Sequence, residues 1–575
     1  MQEFYEAELR LLHDSAKEFA EAYPEQAGML NLNEVKDRDP YVERLLEGMA
    51  YLTAQIRQHI NDDIPEISET LLNQLWPHFL RPYPSTSIAK FEPRIGQLQQ
   101  TQIIEKKSTL LSKAIGEDNI ICRFRTSNPV KLNPVQITQL NIQESAGGGS
   151  TISLTFELDS GVNINNLDLS DLKIYLHADP AIAIWLHYQL CKKLTGCRVL
   201  FPQEPNRTPD ALKKSVCAAH LNTDDALIEM SGRSFHGFHL LQDYFCFREK
   251  YLFITLQGLD TVSWKTQTDK FVVEFRIADV CPSDHNLSKD NFLLHCSPIV
   301  NLFELTSEPI NLTHKHSDYP VIADVGSREG VQVYSVNKVT GIDSETGDRH
   351  QYFPMYTFEH RRKGGRYYHN FRRSVGTGRT ETHLTLGGTD KFNKEVLSCD
   401  ITATNAAYPR RYLKENEITT QPADFPSFAS FTNLIRPGAM LTPPERDRFQ
   451  WELISHLSLN YNSLAELDTF KRVLKLYDWT RNEQNRRRID GVQSINVSPI
   501  DRIKKGALMR GLKIKLTIHE EHYRSIADIH LFGLVIHHFF SMYATINCFV
   551  QTEVLCHPSN EVIKWEPLIG ENTPI

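Results

Sequence analysis

Three apolar runs at helical spacing, each cut short by proline, fill the first eighty residues. In the first, Tyr5, Leu9, Leu12, Ala16, Phe19 and Tyr23 recur every three or four positions, the spacing of one helix face, until Pro24 stops it. The second opens at Asp39-Pro40. A carboxylate there can cap free amides, and proline suits a first turn that needs no N–H. Val42, Leu45, Met49, Leu52, Ile56 and His59/Ile60 then share a face that Leu46 and Ala50 widen, and Pro65 closes the helix. The third run is Ile67, Leu71, Leu72, Leu75, Trp76 and Phe79, interrupted by Pro77 and ended by Pro82 and Pro84. Three helices packed on one another cover only part of so wide an apolar surface. Either the segment caps the next domain, or it is a bundle that other subunits complete. Leu9, Leu12, Val42, Leu45, Met49, Leu52, Ile56 and Trp76 are the candidate interface residues on the second reading.

Beyond residue 86 the period changes from helical to two. Ile152, Leu154, Phe156 and Leu158 alternate with polar residues, as do Phe271, Val273, Phe275 and Ile277, which predicts half-buried strands. Helices are expected at about 180–194, opening on Asp179-Pro180 in the same capping style, and near 238–245. A loop-rich, β-rich stretch follows, with strands around 331–336 and 383–386. Prolines 422, 426, 437, 443 and 444 mark a linker zone. Helical spacing returns at 446–456 and 464–477, a final helix is expected at about 525–543, and strands at 514–518 and 546–555. Arg486-Arg487-Arg488 reads as a solvated loop. The expected class is α+β and multidomain. A helical segment spans 1–86, a β-rich domain with inserted helices 87–280, a second β-rich, loop-rich domain 281–425, and a mixed α/β domain 426–575.

At 575 residues the chain is long enough for three or four domains. A net charge of −8 argues against a protein whose main business is neutralising phosphates. The acidic N-terminus lacks the basic and apolar order of an export signal. The apolar stretch 531–546 contains His537, His538 and Ser541 and is too short for a membrane span, so a buried helix running into a strand is expected. None of the ten cysteines forms a CxxC pair, which points to small buried hydrophobes in a reducing compartment, most simply the cytoplasm.

Motifs for chemistry are weak. There is no P-loop, no G-x-S-x-G elbow and no H-E-x-x-H. His519-Glu520-Glu521-His522, His314/His316 and His236/His239 lack the ligand sets a metal site needs. His530, His537 and His538 fit a buried helix as core histidines. The segment His360–Arg373 interleaves basic and aromatic residues. Such a run suits a single-stranded nucleic-acid groove, a protein interface through Arg372 and Arg373, or a solvated hairpin.

Several blocks together carry a family likeness. Phe4-Tyr5-Glu6-Ala7-Glu8-Leu9-Arg10-Leu11-Leu12 resembles the opening of the TssF family (also VasA or ImpG), and Asp39-Pro40-Tyr41-Val42-Glu43-Arg44-Leu45-Leu46-Glu47-Gly48-Met49-Ala50 its next helix. Leu71-Leu72-Asn73-Gln74-Leu75-Trp76-Pro77, Leu453–Tyr461, Met509-Arg510-Gly511-Leu512 and Phe532-Gly533-Leu534-Val535 are similar to further blocks of that family. Thr404-Asn405-Ala406-Ala407 departs from a Thr-Asn-Arg-Asp-like run. The resemblance implies a structural subunit of the type VI secretion baseplate wedge, with no catalysis and no cofactor. It implies that two copies of the chain join one TssG and recruit TssK and TssE, with neighbouring wedges around the VgrG hub. It also implies a place in the cytoplasm, docked at the inner face of the inner membrane without insertion. A single-stranded nucleic-acid-binding protein is the alternative.

Overall fold

The structure is a computed structural model. It describes residues 5–6, 8–13, 15–16, 40–61, 71–73, 76–145, 147–204, 206–213, 215–229, 237–313, 315–326, 330–355, 365–375, 379–388, 394–444, 449–456, 464, 466–504, 507–546 and 548–570. Two compact units result, Met1–Pro77 with Pro444–Ser458, and His78–Pro443 with Leu459–Ile575.

The described residues of the first unit are helical apart from Trp76 and Pro444. Residues 8–13 lie in a helix, and a 22-residue helix spans Pro40–Asn61, beginning at the proline whose fixed φ suits a first turn. Asp39, Phe19, Tyr23 and Pro65 fall outside the described residues, as do Ile67 and Leu75. His13 Nε2 lies 2.9 Å from Glu43 Oε1, tying the first helix to the second. Ala50, Ala54, Leu72 and Leu453 are fully buried, the last on helix Phe449–His456.

The second unit is built on mainly antiparallel sheets. One five-stranded sheet runs in the order Ala429–Asn433, Thr86–Pro93, Cys296–Val300, Ile120–Thr126, Thr109–Ile115. It therefore joins stretches far apart in sequence, because antiparallel register and a shared apolar face, not chain order, choose the neighbours. Phe91, Phe124, Ile299 and Phe431 meet in its core. A second five-stranded sheet places Ser150–Leu158 beside Lys270–Ile277, with Phe156 stacked on Phe271 at 5.0 Å. Both strands show the expected alternation. An eight-stranded sheet holds Gln332–Asp343, Glu395–Thr404 and the hairpin Arg366–Val375/Arg379–Gly388.

At the C-terminal end, Val492–Lys504 and Ala507–His519 form a long hairpin. Cys548–His557 then pairs parallel to its second strand, after the crossover helix Ile526–Tyr543. Ser525 caps that helix by accepting from the Asp528 amide. Among the described residues it is the one helix long and apolar enough to cross a membrane. It is 83% buried inside this unit, against helices Pro180–Cys191 and Gly237–Cys246, which is the place of a core helix.

Two polar details differ from the sequence expectation. Asp179 occupies the N-cap of Pro180–Cys191 but makes no side-chain cap bond, so Pro180 alone marks the start. Arg486–Arg488 is not a solvated loop: Asn482 accepts from the Gln484 amide and starts helix Glu483–Asp490. That helix keeps Arg486 and Arg487 in solvent and turns Arg488 inward, 4% exposed. A short polar run hid an N-cap, and a buried carboxylate on a distant helix, Asp528, holds the third arginine. A second buried ion pair, Lys250 Nζ to Asp243 Oδ2 at 2.6 Å, also receives the Tyr83 hydroxyl, 3.0 Å from Asp243 Oδ1. It fastens the start of the sheet unit to helix Gly237–Cys246.

Candidate assembly surface

Helix Pro40–Asn61 has two unequal faces. Ala50 and Ala54 are buried, and Val42 and Leu46 half-buried. Tyr41, Leu45, Met49 and Leu52, spaced by four, four and three, turn outward and are 80%, 66%, 48% and 60% exposed. A monomer with nothing to bind places its large residues inward and its small or polar ones outward. Here four large apolar residues stand on the outward side as well. Burying each such side chain stabilises by about 1.5–3 kcal/mol, so a partner that covers the stripe gains several such increments before association costs.

The sequence candidates are distributed as follows. Leu9 and Leu12 are half-buried in the first helix, and Val42 is half-buried beside the alanine face. Leu45, Met49 and Leu52 come together on the outward stripe. The Ile56 side chain lies outside the described residues. Trp76 is buried, 3% exposed. Tyr41, four residues before Leu45, belongs to the same stripe and was missed; its position one turn upstream was the signal.

Arg372 and Arg373 sit elsewhere, on the strand Arg366–Val375. Arg372 Nη2 donates to the Tyr334 carbonyl at 2.6 Å and Nη1 to that of Leu80 at 3.4 Å, so its guanidinium ties this unit together. Arg373 is half in solvent and pairs with Asp318 at 3.3 Å, its guanidinium 5.6 Å from the Phe371 ring. Arg366 pairs with the fully buried carboxylate of Glu395, and Tyr368 is 4% exposed. Several charges and rings that a nucleic-acid groove would offer are thus engaged in the chain's own core. Residues 360–364 lie outside the described residues.

The histidines are structural in their contacts. His537 Nε2–H donates to the Glu566 carbonyl at 2.9 Å, so Nδ1 accepts from the Thr552 hydroxyl at 3.0 Å. Burial lowers its pKa to about 4, and His530 is lowered well below its ordinary value by the same cause. His522 Nδ1 lies 3.2 Å from the Arg487 carbonyl. Among the described residues, no three His, Cys, Asp or Glu side chains are disposed to hold a metal ion. His236 and His314 lie outside those residues.

The smaller unit thus exposes an apolar stripe on helix Pro40–Asn61, and the larger unit is built from several sheets. The family described as "Type VI secretion system, TssF" matches residues 1–572. The type VI secretion system component TssF1 of Pseudomonas aeruginosa strain PAO1 is 28% identical, over 99% of this chain and 98% of that protein. A chain in the solved type VI secretion TssK-TssF-TssG baseplate subcomplex is 31% identical, with a TM-score of 0.79 over 93% of this chain and all of that one. A chain of another solved structure, the baseplate complex from the type VI secretion system, is 28% identical, with a TM-score of 0.65 and full coverage of both. The chain belongs to the TssF family and is a subunit of the type VI secretion baseplate. None of these relatives gives support to the nucleic-acid alternative.

Proposed function

We propose that this chain works as a non-catalytic wedge builder, and that the stripe Tyr41–Leu45–Met49–Leu52 is where TssG and a second copy of the chain complete its helical unit. The exposure of that stripe is the observation that carries the reading. Two copies hold one TssG, and the pair recruits TssK and TssE. Six such wedges surround the VgrG hub and support the sheath. The β-rich stretches act as wings that reach the neighbouring wedge and the hub. The complex stands in the cytoplasm against the inner membrane through other components, without insertion of this chain.

The solved TssK-TssF-TssG baseplate subcomplex, one chain of which resembles this protein, supports the choice of partners. Co-expression with TssG from the same bacterium, followed by native mass measurement, tests it. Two copies of the chain bound to one TssG is the expected mass. A chain that purifies as a monomer beside free TssG would overturn the reading.

A further inference from the structure

The C-terminal hairpin outruns its own sheet. Cys548–His557 supports the second strand only as far as Arg510, so the pairs Arg502–Met509, Ile503–Leu508 and Lys504–Ala507 project as a bare two-stranded ribbon. Two strands without a third are marginal on their own. Side chains alternate between faces, so the directly opposed pairs Ile495–Leu516, Val497–Ile514, Pro499–Leu512, Asp501–Arg510 and Ile503–Leu508 lie on one face. Ile495, Leu516 and Ile514 are buried in the body. At the tip the same face carries Ile503 and Leu508, 79% and 66% exposed, opposite one another. The core-facing side of the sheet therefore continues past the last residue that covers it.

The charge of this segment is also distinctive. Residues 501–515 hold six Lys or Arg against one Asp, in a chain of net charge −8. Lys513 is already matched by Glu553 at 2.8 Å. Arg502 and Arg510 are exposed on the ribbon itself. Asp501 lies opposite Arg510, one pair below Ile503–Leu508 on the apolar face. Anionic lipid headgroups would repel that carboxylate, whereas a folded protein surface can answer both charges.

We infer that the ribbon tip is a docking arm, and that its occupant is a second kind of protein in the baseplate presenting an apolar cleft rimmed by carboxylates. Ile503 and Leu508 enter the cleft, and the basic flanks meet its rim. This inference rests on the assembly reading above, with a contact remote in sequence from the N-terminal stripe.

The test uses the full chain co-expressed with TssG, TssK and TssE, with the photo-crosslinker p-benzoylphenylalanine placed at position 503 or 508. Crosslinks are expected to one companion subunit, in a segment where Asp and Glu outnumber Lys and Arg. Arg502→Glu should lower their yield by about tenfold, as should Ile503→Ser with Leu508→Ser read from position 510, since complementary charge and apolar contact both set such docking. TssG should co-purify normally with each variant, which separates this test from that of the helical stripe. Absence of crosslinks in an assembly that still contains TssG would overturn the inference. So would crosslinks to a second copy of this chain, crosslinks to a basic segment, or tip-dependent binding to vesicles of equal parts phosphatidylcholine and phosphatidylglycerol. Loss of TssG itself from the wild-type preparation would instead sink the assembly reading.

Discussion

Arg488 Nε lies 3.2 Å from Asp528 Oδ2, and both side chains are almost wholly out of water. Arg248 reaches the other oxygen of the same carboxylate. Arg488 also donates to Asn485 Oδ1 at 2.8 Å, and Asn485 donates to the Phe245 carbonyl at 3.1 Å. Burial would raise the Asp528 pKa, but the two guanidinium groups hold it below the usual carboxylate range. The network locks helices Glu483–Asp490 and Ile526–Tyr543 together. Removing Asp528 strands two buried cations, so Asp528→Ala should destabilise this unit by about 3–5 kcal/mol, measured as a loss in urea unfolding. Arg487→Ala, on the exposed side of the same helix, should change it by less than about 0.5 kcal/mol. Equal effects would refute the assignment.

That network also shows what a sequence conceals. A long apolar stretch revealed the last helix and the strand after it, because that helix is buried on nearly every side. Spacing could not reveal that Arg488 points inward, since its partner is 40 residues away and only the fold brings them together. The outward stripe was half legible. Leu45, Met49 and Leu52 stood on one face by spacing, yet which side of a wide apolar helix stays uncovered depends on Ala50 and Ala54 packing first. Arg372 looked like an interface residue beside Arg373, but strand alternation sends adjacent side chains to opposite faces, and it bonds to carbonyls within the unit.

Glycine at 533 is a packing requirement. His530 and His537 lie at 5.5 and 6.1 Å from the Trp565 ring, both nearly parallel to it, and Gly533 sits between them on the same helix face. A Cβ there would overlap the indole. Gly533→Ala gains about 1 kcal/mol of helix propensity, yet displaces Trp565. The expected net result is a loss of about 1–3 kcal/mol, with changed tryptophan fluorescence. A more stable variant with an unaltered spectrum would contradict this packing.

Acid should weaken the packing of helices Pro180–Cys191 and Ile526–Tyr543 before most carboxylates titrate. Burial lowers His187 and His537 to about 4 and His538 to about 3, from an ordinary value near 6.5. The folded chain therefore keeps these rings neutral while the unfolded chain takes up protons. Stability is full above about pH 6.5 and falls continuously toward about pH 4. The urea midpoint should drop between pH 7 and pH 5. An unchanged midpoint across that interval would show that these histidines titrate normally.

Helix Pro40–Asn61 leaves Leu45 and Leu52 uncovered, and the proposed role gives both to a companion chain. The direct measurement is co-purification with TssG of Leu45→Asp and Leu52→Asp, alongside circular dichroism and thermal melting of each variant. Loss of TssG with an unchanged melt is the result predicted, because a charge on an exposed position costs the isolated chain little and the completed bundle several kcal/mol. Wild-type recovery of TssG by both variants would contradict it.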